Sequence, residues 1–183
     1  MNRLTPLASK VLSAFHKRNQ RNLRKLNDEI LKGTAMECDT VCFDMAVFSY
    51  VLSKIVSKPR FLRPEYKSGL DGIERALSRL VERLDSAEES ELLSLFQELE
   101  RAIAHLEEKD PRFVVDLVTK GKLKMAATFY AQGMSLGVAA EMTGLEKQEI
   151  LDYAGETMMF DRFKNERSIS ERMRMARKVL STG

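Results

Sequence analysis

Residues 127–155 read ATFYAQGMSLGVAAEMTGLEKQEILDYAG, and their pattern predicts one helix, a tight turn and a second helix. Gly144 stands where the turn requires a residue that can adopt a positive φ. Ser135 is a suitable N-cap for the first helix, and Ala139 and Ala140 are small where the helices must approach closely. The second helix would face the core with three side chains: Leu145, Ile150 and Tyr153. This spacing is typical of a helix-turn-helix.

The same stretch resembles a family of short prokaryotic antitoxins from toxin–antitoxin pairs. The matching pieces are Tyr130-Ala-Gln-Gly133, Ser135-Leu-Gly-Val-Ala-Ala-Glu141 and Gly144-Leu145. In that family two residues separate the turn glycine from the serine, whereas Met134 alone separates them here. The resemblance implies a module that contacts DNA or neutralises a toxin, and it does not extend to residues 1–118.

Apolar residues recur at helical spacing along the rest of the chain, and no stretch alternates as a strand would. Residues 1–32 are expected to be helical, with Gly33-Thr34 breaking the pattern. Residues 36–57 are apolar nearly all round, which is typical of a helix at the centre of a bundle. Two amphipathic helices, one over 71–84 and one opened by a capping box at Ser86-Ala-Glu-Glu89, would form an antiparallel hairpin.

These elements predict an all-α protein, a multi-helix bundle with a C-terminal helix-turn-helix (trihelical) module. Two prolines make residues 58–66 a loop and the expected internal boundary. Asp110-Pro111 would open a short helix that runs to Gly121. We expect a helical bundle over residues 1–118, and dimerisation is one role that this bundle can have. Residues 119–183 would form the helix-turn-helix module with a basic C-terminal helix.

The composition favours a globular, helix-rich protein, since 44% of the residues are hydrophobic and 31% are charged. No apolar run is long enough to span a membrane, and the first residues lack the apolar core of a secretion signal. Cys38 and Cys42 suit neither a disulfide nor a zinc site and are interpreted as buried thiols. We therefore expect a cytoplasmic protein without metal or cofactor.

Nothing in the sequence indicates an enzyme. No glycine-rich phosphate-binding loop occurs, and His16 and His105 are isolated from any serine or cysteine nucleophile pattern. We expect no catalytic residues.

Charge is distributed unevenly, although the net charge is only +3. Residues 1–32 carry eight basic and two acidic residues, residues 61–118 carry eight and fourteen, and residues 161–183 carry seven and three. Basic ends can contact phosphate backbones, or they can dock on the acidic middle of this chain or of a partner subunit. The candidate nucleic-acid-binding residues are Lys17, Arg18, Arg21, Arg24, Lys25, Lys120, Lys122, Lys124, Ser135, Lys147, Gln148, Arg162, Lys164, Arg167, Arg172, Arg174, Arg177 and Lys178.

The expected recognition helix is acidic for a helix that enters a DNA groove. Glu146, Glu149 and Asp152 outweigh Lys147, which phosphates disfavour. Acidic side chains can nevertheless accept from cytosine, and Gln148 can pair with adenine.

Three interpretations remain open at this point. The first is a DNA-binding regulator of transcription or antitoxin-like protein, acting as a dimer or other homo-oligomer. The second is a basic helical adaptor that binds RNA or a ribonucleoprotein such as a ribosomal subunit. The third is a structural module that binds a protein partner through the helix-turn-helix.

Overall fold

The computed structural model describes residues 4–37, 40–108, 110 and 116–159. Within these ranges the chain forms α-helices, two short 3-10 turns and no strand, so the prediction of an all-α protein is confirmed. The α-helices are α1 (Leu4–His16), α2 (Gln20–Glu37), α3 (Thr40–Val56), α4 (Lys67–Arg83), α5 (Glu89–Glu108), α6 (Leu117–Ala131), α7 (Leu136–Thr143) and α8 (Lys147–Glu156). The 3-10 turns are Pro59–Leu62 and Pro64–Tyr66.

Helix α3 lies at the centre of the bundle, as its all-round apolar surface predicts. Twelve of its residues are buried, and it packs against α1, α2 and α6. Buried polar groups of α2 and α3 pair with each other: Asn27 of α2 donates from Nδ2 to the Ala46 carbonyl oxygen (2.7 Å) and to Ser49 Oγ (2.9 Å). Cys42 is buried, while Cys38 lies outside the described residues.

The N-terminal region consists of two helices that are separated near residue 18. Arg18 adopts a positive φ of 52°, and Asn19 Oδ1 accepts from the Asn22 backbone N–H (3.0 Å) as an N-cap of α2. Helix α2 then continues through Gly33 and Thr34. The prediction of a break at Gly33-Thr34 is therefore wrong, because an asparagine cap upstream, and not the glycine, marks the boundary.

Helices α4 and α5 form the predicted antiparallel hairpin, since Arg83 pairs with Glu91 near the turn while Gly69 lies against Leu106 at the other end. The prediction of a capping box that begins at Ser86 is wrong. Helix α5 begins only at Glu89, and Ser86 lies in the turn before it.

Residues 58–66 are not a linker between separate bodies. Phe61 is fully buried and Tyr66 is nearly so, and their rings meet edge to face with centroids 5.4 Å apart. Both side chains belong to the main hydrophobic core. A proline begins each of the two 3-10 turns of this segment. The aromatic side chains of the turns pack into the bundle core.

Helix α6 begins later than expected and runs past Gly121. Asp116 caps it by accepting from the Thr119 backbone N–H (2.6 Å), and residues 111–115 lie outside the described residues. Gly121 sits inside the helix, where a Cβ atom would lie 2.8 Å from Val51 Cγ2. This glycine therefore allows α6 to approach α3 closely rather than ending the helix.

Helix α6 spans positions 118 and 119, where the sequence suggests a division into two domains. It packs against α3 on one side and against α7 and α8 on another. The two-domain division stays a prediction.

Candidate nucleic-acid interface

Two residues predicted from the sequence determine where α7 begins and where it ends. Ser135 Oγ accepts from the Val138 backbone N–H (3.2 Å), which caps the N-terminus of α7. Gly144 ends the helix in the left-handed region at φ 67°, and its N–H donates to the Ala140 carbonyl oxygen (2.9 Å). A residue with a Cβ atom would be strained at this φ.

Helix α8 is opened by a capping box that is not evident from a serine or threonine pattern. The Glu146 backbone N–H donates to Glu149 Oε2 (3.0 Å), and the Glu146 side chain accepts from the Glu149 backbone. Both carboxylates therefore serve the helix N-terminus, where negative charge is favoured.

Helices α7 and α8 pack on α6 through small side chains. Ala126, Ala139 and Ile150 form one buried cluster, and Ala127 packs with Ala154 and Met159 in a second. Of the three side chains predicted to face the core, Ile150 is buried, whereas Leu145 and Tyr153 are half-buried at its edge. Of the two alanines predicted at the close approach, Ala139 is buried and Ala140 is half-buried. The alanines allow the three helices to approach closely.

One face of α8 remains directed to solvent. Lys147, Gln148 and Asp152 are exposed, and Leu151 is half-buried. Gln148 donates from Nε2 to Asp152 Oδ1 (2.8 Å), one turn further along the helix. This row presents one positive charge, one negative charge and an amide.

The three lysines of α6 do not form one patch. Residues two apart on a helix point about 200° away from each other, so Lys122 faces away from Lys120 and Lys124. Lys122 pairs with Glu100 of α5 (3.7 Å), and Lys124 Nζ lies 5.7 Å from the ring centroid of Tyr50 on α3. Lys120 alone of the three is exposed.

The basic residues near the N-terminus also differ from one another. Arg18 is half-buried: it donates from Nη1 to the Phe15 carbonyl oxygen (2.9 Å) and lies over the Phe15 ring. Its guanidinium is also 3.6 Å from Glu74 of α4. The remaining four candidates of this group are exposed: Lys17, Arg21, Arg24 and Lys25. Arg18 therefore helps to hold α1 against α4.

The C-terminal candidates lie outside the described residues. They are Arg162, Lys164, Arg167, Arg172, Arg174, Arg177 and Lys178.

A cluster of buried charges lies where α6 begins, and the sequence gives no local signal of it. Glu107, at the end of α5, accepts from the Leu117 backbone N–H with both carboxylate oxygens (3.1 and 3.2 Å). Burial raises the pKa of Glu107 above its ordinary value, although the Leu117 N–H opposes this shift. Asp110, which is 3% exposed, pairs with Arg60 of the first 3-10 turn.

Lys58 belongs to the same cluster. Burial and the neighbouring Arg60 guanidinium lower the pKa of the Lys58 ammonium below its ordinary value, while Glu107 opposes the shift. These side chains join the segment after α3 and the end of α5 to the start of α6. They therefore fix the helix on which α7 and α8 are packed.

His16 pairs with an acidic residue of another helix. Its Nδ1 lies 2.5 Å from Glu74 Oε1, and both residues line an open cleft of about 790 Å³ between α1 and α4. The two residues are 58 positions apart, so no short-range pattern could have revealed the pair.

In the part of the chain that the structure describes, no helix is both long and apolar enough to cross a membrane. The same residues contain no cluster of three or more His, Cys, Asp or Glu side chains that could hold a metal ion.

Comparison with known proteins gives no relative. The chain matches no protein-family model, no curated protein and no solved structure. The resemblance to antitoxins over residues 127–155 stays a prediction.

Proposed function

We propose that the chain is a nucleic-acid-binding protein in which α6, α7 and α8 form a helix-turn-helix unit that contacts DNA. The observation that carries this proposal is the capped α7, the left-handed Gly144 turn and the exposed Lys147–Gln148 row of α8. In such units the second helix reads base edges with residues near its N-terminus. Lys147 and Gln148 occupy that position, and a glutamine can donate to and accept from adenine.

The helix cap accounts for part of the acidic composition of α8. The side chains of Glu146 and Glu149 accept hydrogen bonds from backbone N–H groups at the N-terminus of α8, as a capping box. Both carboxylates are nevertheless exposed and keep their charge, so the exposed side chains Glu146, Lys147, Gln148, Glu149 and Asp152 carry a net charge of −2. Phosphate contacts would then come from exposed basic groups outside α8, such as Lys120 and Lys17.

A protein partner is the second candidate, because one apolar side chain of α7 and one just after α8 are exposed. Val138 of α7 is 38% exposed, and Met158, just after α8, is 68% exposed. Apolar side chains in solvent contribute to binding when a partner covers them. This arrangement fits an antitoxin-like protein that docks on another chain, or an adaptor on a ribonucleoprotein.

A salt-titrated binding assay tests the DNA proposal. Fluorescence anisotropy would compare duplex DNA with RNA of equal length, using the full chain and the variant Lys147→Ala/Gln148→Ala. We expect the variant to bind DNA about tenfold more weakly and to lower the salt slope by about 0.9 for each phosphate that is no longer neutralised.

The matched control is Lys67→Ala/Gln97→Ala, which removes the same two side-chain types from exposed positions on α4 and α5. Equal weakening by both variants would contradict a role for α8. RNA that displaces DNA at equal salt would favour the adaptor, and no binding at low salt would favour the protein-interaction module.

A further inference from the structure

An open groove of about 860 Å³ lies between α4 and α5. Its floor is made of small residues, Gly72, Ala76 and Ala102, and its sides carry three arginines. A Cβ atom built on Gly72 would meet nothing within 4 Å. The groove is therefore open down to the helix backbone at this point.

The arginines of this groove are held in place by their own helices. Arg75 donates from Nε to the Asp71 carbonyl oxygen, and Arg101 donates from Nε to the Gln97 carbonyl oxygen, both at 3.3 Å. These contacts occupy the Nε groups, and the terminal Nη groups are the part of each guanidinium that can pair with a ligand. Among the described residues, neither arginine forms an ion pair with a carboxylate.

The third arginine is partly neutralised. Arg79 pairs with Glu98 across the groove, and both side chains are accessible to solvent. The groove thus contains three positive groups and one negative group. An incoming anion could compete with Glu98 for the Arg79 guanidinium, because exposed ion pairs are weak.

The surroundings of the groove favour a compact anion over a long polyanion. Residues 61–118 carry fourteen acidic and eight basic residues, so a nucleic-acid backbone that extended beyond the groove would meet net negative charge. A small molecule would stay within the groove, where positive side chains outnumber negative ones by three to one. The groove volume lies within the range of about 300–1,000 Å³ that is typical of small-molecule sites.

We propose that the α4–α5 groove binds a small oxyanion with two or more negative charges, held between the guanidinium groups of Arg75 and Arg101. Guanidinium groups match the paired oxygens of phosphates and carboxylates alike. Two sources of this chemistry are therefore to be distinguished, a phosphorylated metabolite and a multicarboxylate. This site is separate from the surface of α8.

Isothermal titration of the full chain with inorganic pyrophosphate, and separately with citrate, tests the proposal. We expect one of the two to bind, and the Arg75→Ala and Arg101→Ala variants each to raise its dissociation constant about tenfold. Arg63→Ala removes an exposed arginine outside the groove and is the control for overall charge. An equal effect of Arg63→Ala would overturn the proposal.

Two further variants test the shape of the groove and the competition within it. Gly72→Leu should abolish binding, because its side chain enters open space in the groove. Gly155→Leu, at a comparably open position on α8, should leave binding unchanged. Glu98→Gln should tighten binding about threefold by freeing Arg79. No binding of either anion at about 1 mM, or unchanged binding in Gly72→Leu, would refute the site.

Discussion

At the scale of single residues, two helical glycines show how surroundings decide the effect of one methyl group. A Cβ on Gly121 would lie 2.8 Å from Val51 Cγ2 and 3.2 Å from Val47 Cγ1, both on the central helix α3. A Cβ on Gly72 of α4 would meet no atom within 4 Å. The sequence shows a glycine inside a helix at both positions. Only the packing of α6 on α3 shows that a larger side chain would clash at Gly121 and not at Gly72.

We predict opposite stability effects for Gly121→Ala and Gly72→Ala. At Gly121 an overpacking cost of about 1–3 kcal/mol should exceed the helix-propensity gain and lower the free energy of unfolding. At Gly72 the gain of about 0.5–1 kcal/mol should appear alone. Urea denaturation of the two variants beside the wild type measures both. A stabilised Gly121→Ala would show that α6 can move away from α3 at little cost.

Glu107 contributes a pH dependence whose sign follows from its raised pKa. The folded state holds the Glu107 proton more tightly than the unfolded chain does, since burial disfavours the carboxylate. Folding therefore takes up a proton. The contribution of this group to stability is greatest below its ordinary pKa of 4.5 and is lost as pH rises through the raised value.

Glu107→Gln should remove this dependence while keeping an oxygen that can accept from the Leu117 backbone N–H. We expect the variant to gain stability relative to the wild type as pH rises from about 4 to 7. Denaturation midpoints at a series of pH values check this. A difference between the two proteins that is constant with pH would mean that the Glu107 carboxylate titrates normally.

At the scale of elements, helix ends depend on single capping groups. The sequence identifies Ser135 as a cap, and its Oγ does accept from Val138. Ser86, which the sequence predicts as the start of a capping box, lies in the turn before α5, and the helix begins at Glu89. Sequence pattern thus finds competent caps, but the surrounding packing selects which of them are used.

Ser135→Ala should destabilise α7, which has only eight residues and one buried side chain, Ala139. The expected loss is about 1 kcal/mol, with faster amide exchange at Val138, whose N–H loses its acceptor. Ser135→Asp restores an acceptor and should recover most of this loss. If Ser135→Ala and Ser135→Asp behave alike, the hydroxyl is not acting as a cap in solution.

At the scale of the whole molecule, burial is concentrated in the bundle around α3. Helix α3 has twelve buried residues, whereas α8 has two, Ile150 and Ala154. Local opening requires the least free energy where it exposes little apolar surface. Helices α7 and α8 should therefore open more easily than the bundle to which α6 attaches them.

Native-state hydrogen exchange should show this order. We expect amides of α7 and α8 to exchange through local opening and those of α3 to exchange only through global unfolding. Binding of duplex DNA should slow exchange in α7 and α8 if the proposed function holds. Equal protection of α3 and α8 in the free protein would show that the chain unfolds as one unit.

Local chemistry along the chain was enough to predict much of the fold. The all-α class, the central apolar helix, the α4–α5 hairpin, the Ser135 cap and the Gly144 turn follow from periodicity and backbone preference. The prediction of a break at Gly33-Thr34 was wrong, since both residues lie within α2. These features depend on residues within one or two turns of each other.

The packing of the helices determines which charged side chains pair with each other, and no local sequence pattern could predict these pairs. Glu107 meets Leu117, Arg60 meets Asp110, and Arg18 meets Glu74 only after the chain folds. In the same way, folding places three of the six arginines of the acidic stretch 61–118 along one groove. Burial and electrostatic attraction depend on distance in space, and the fold brings together residues that are distant in the sequence.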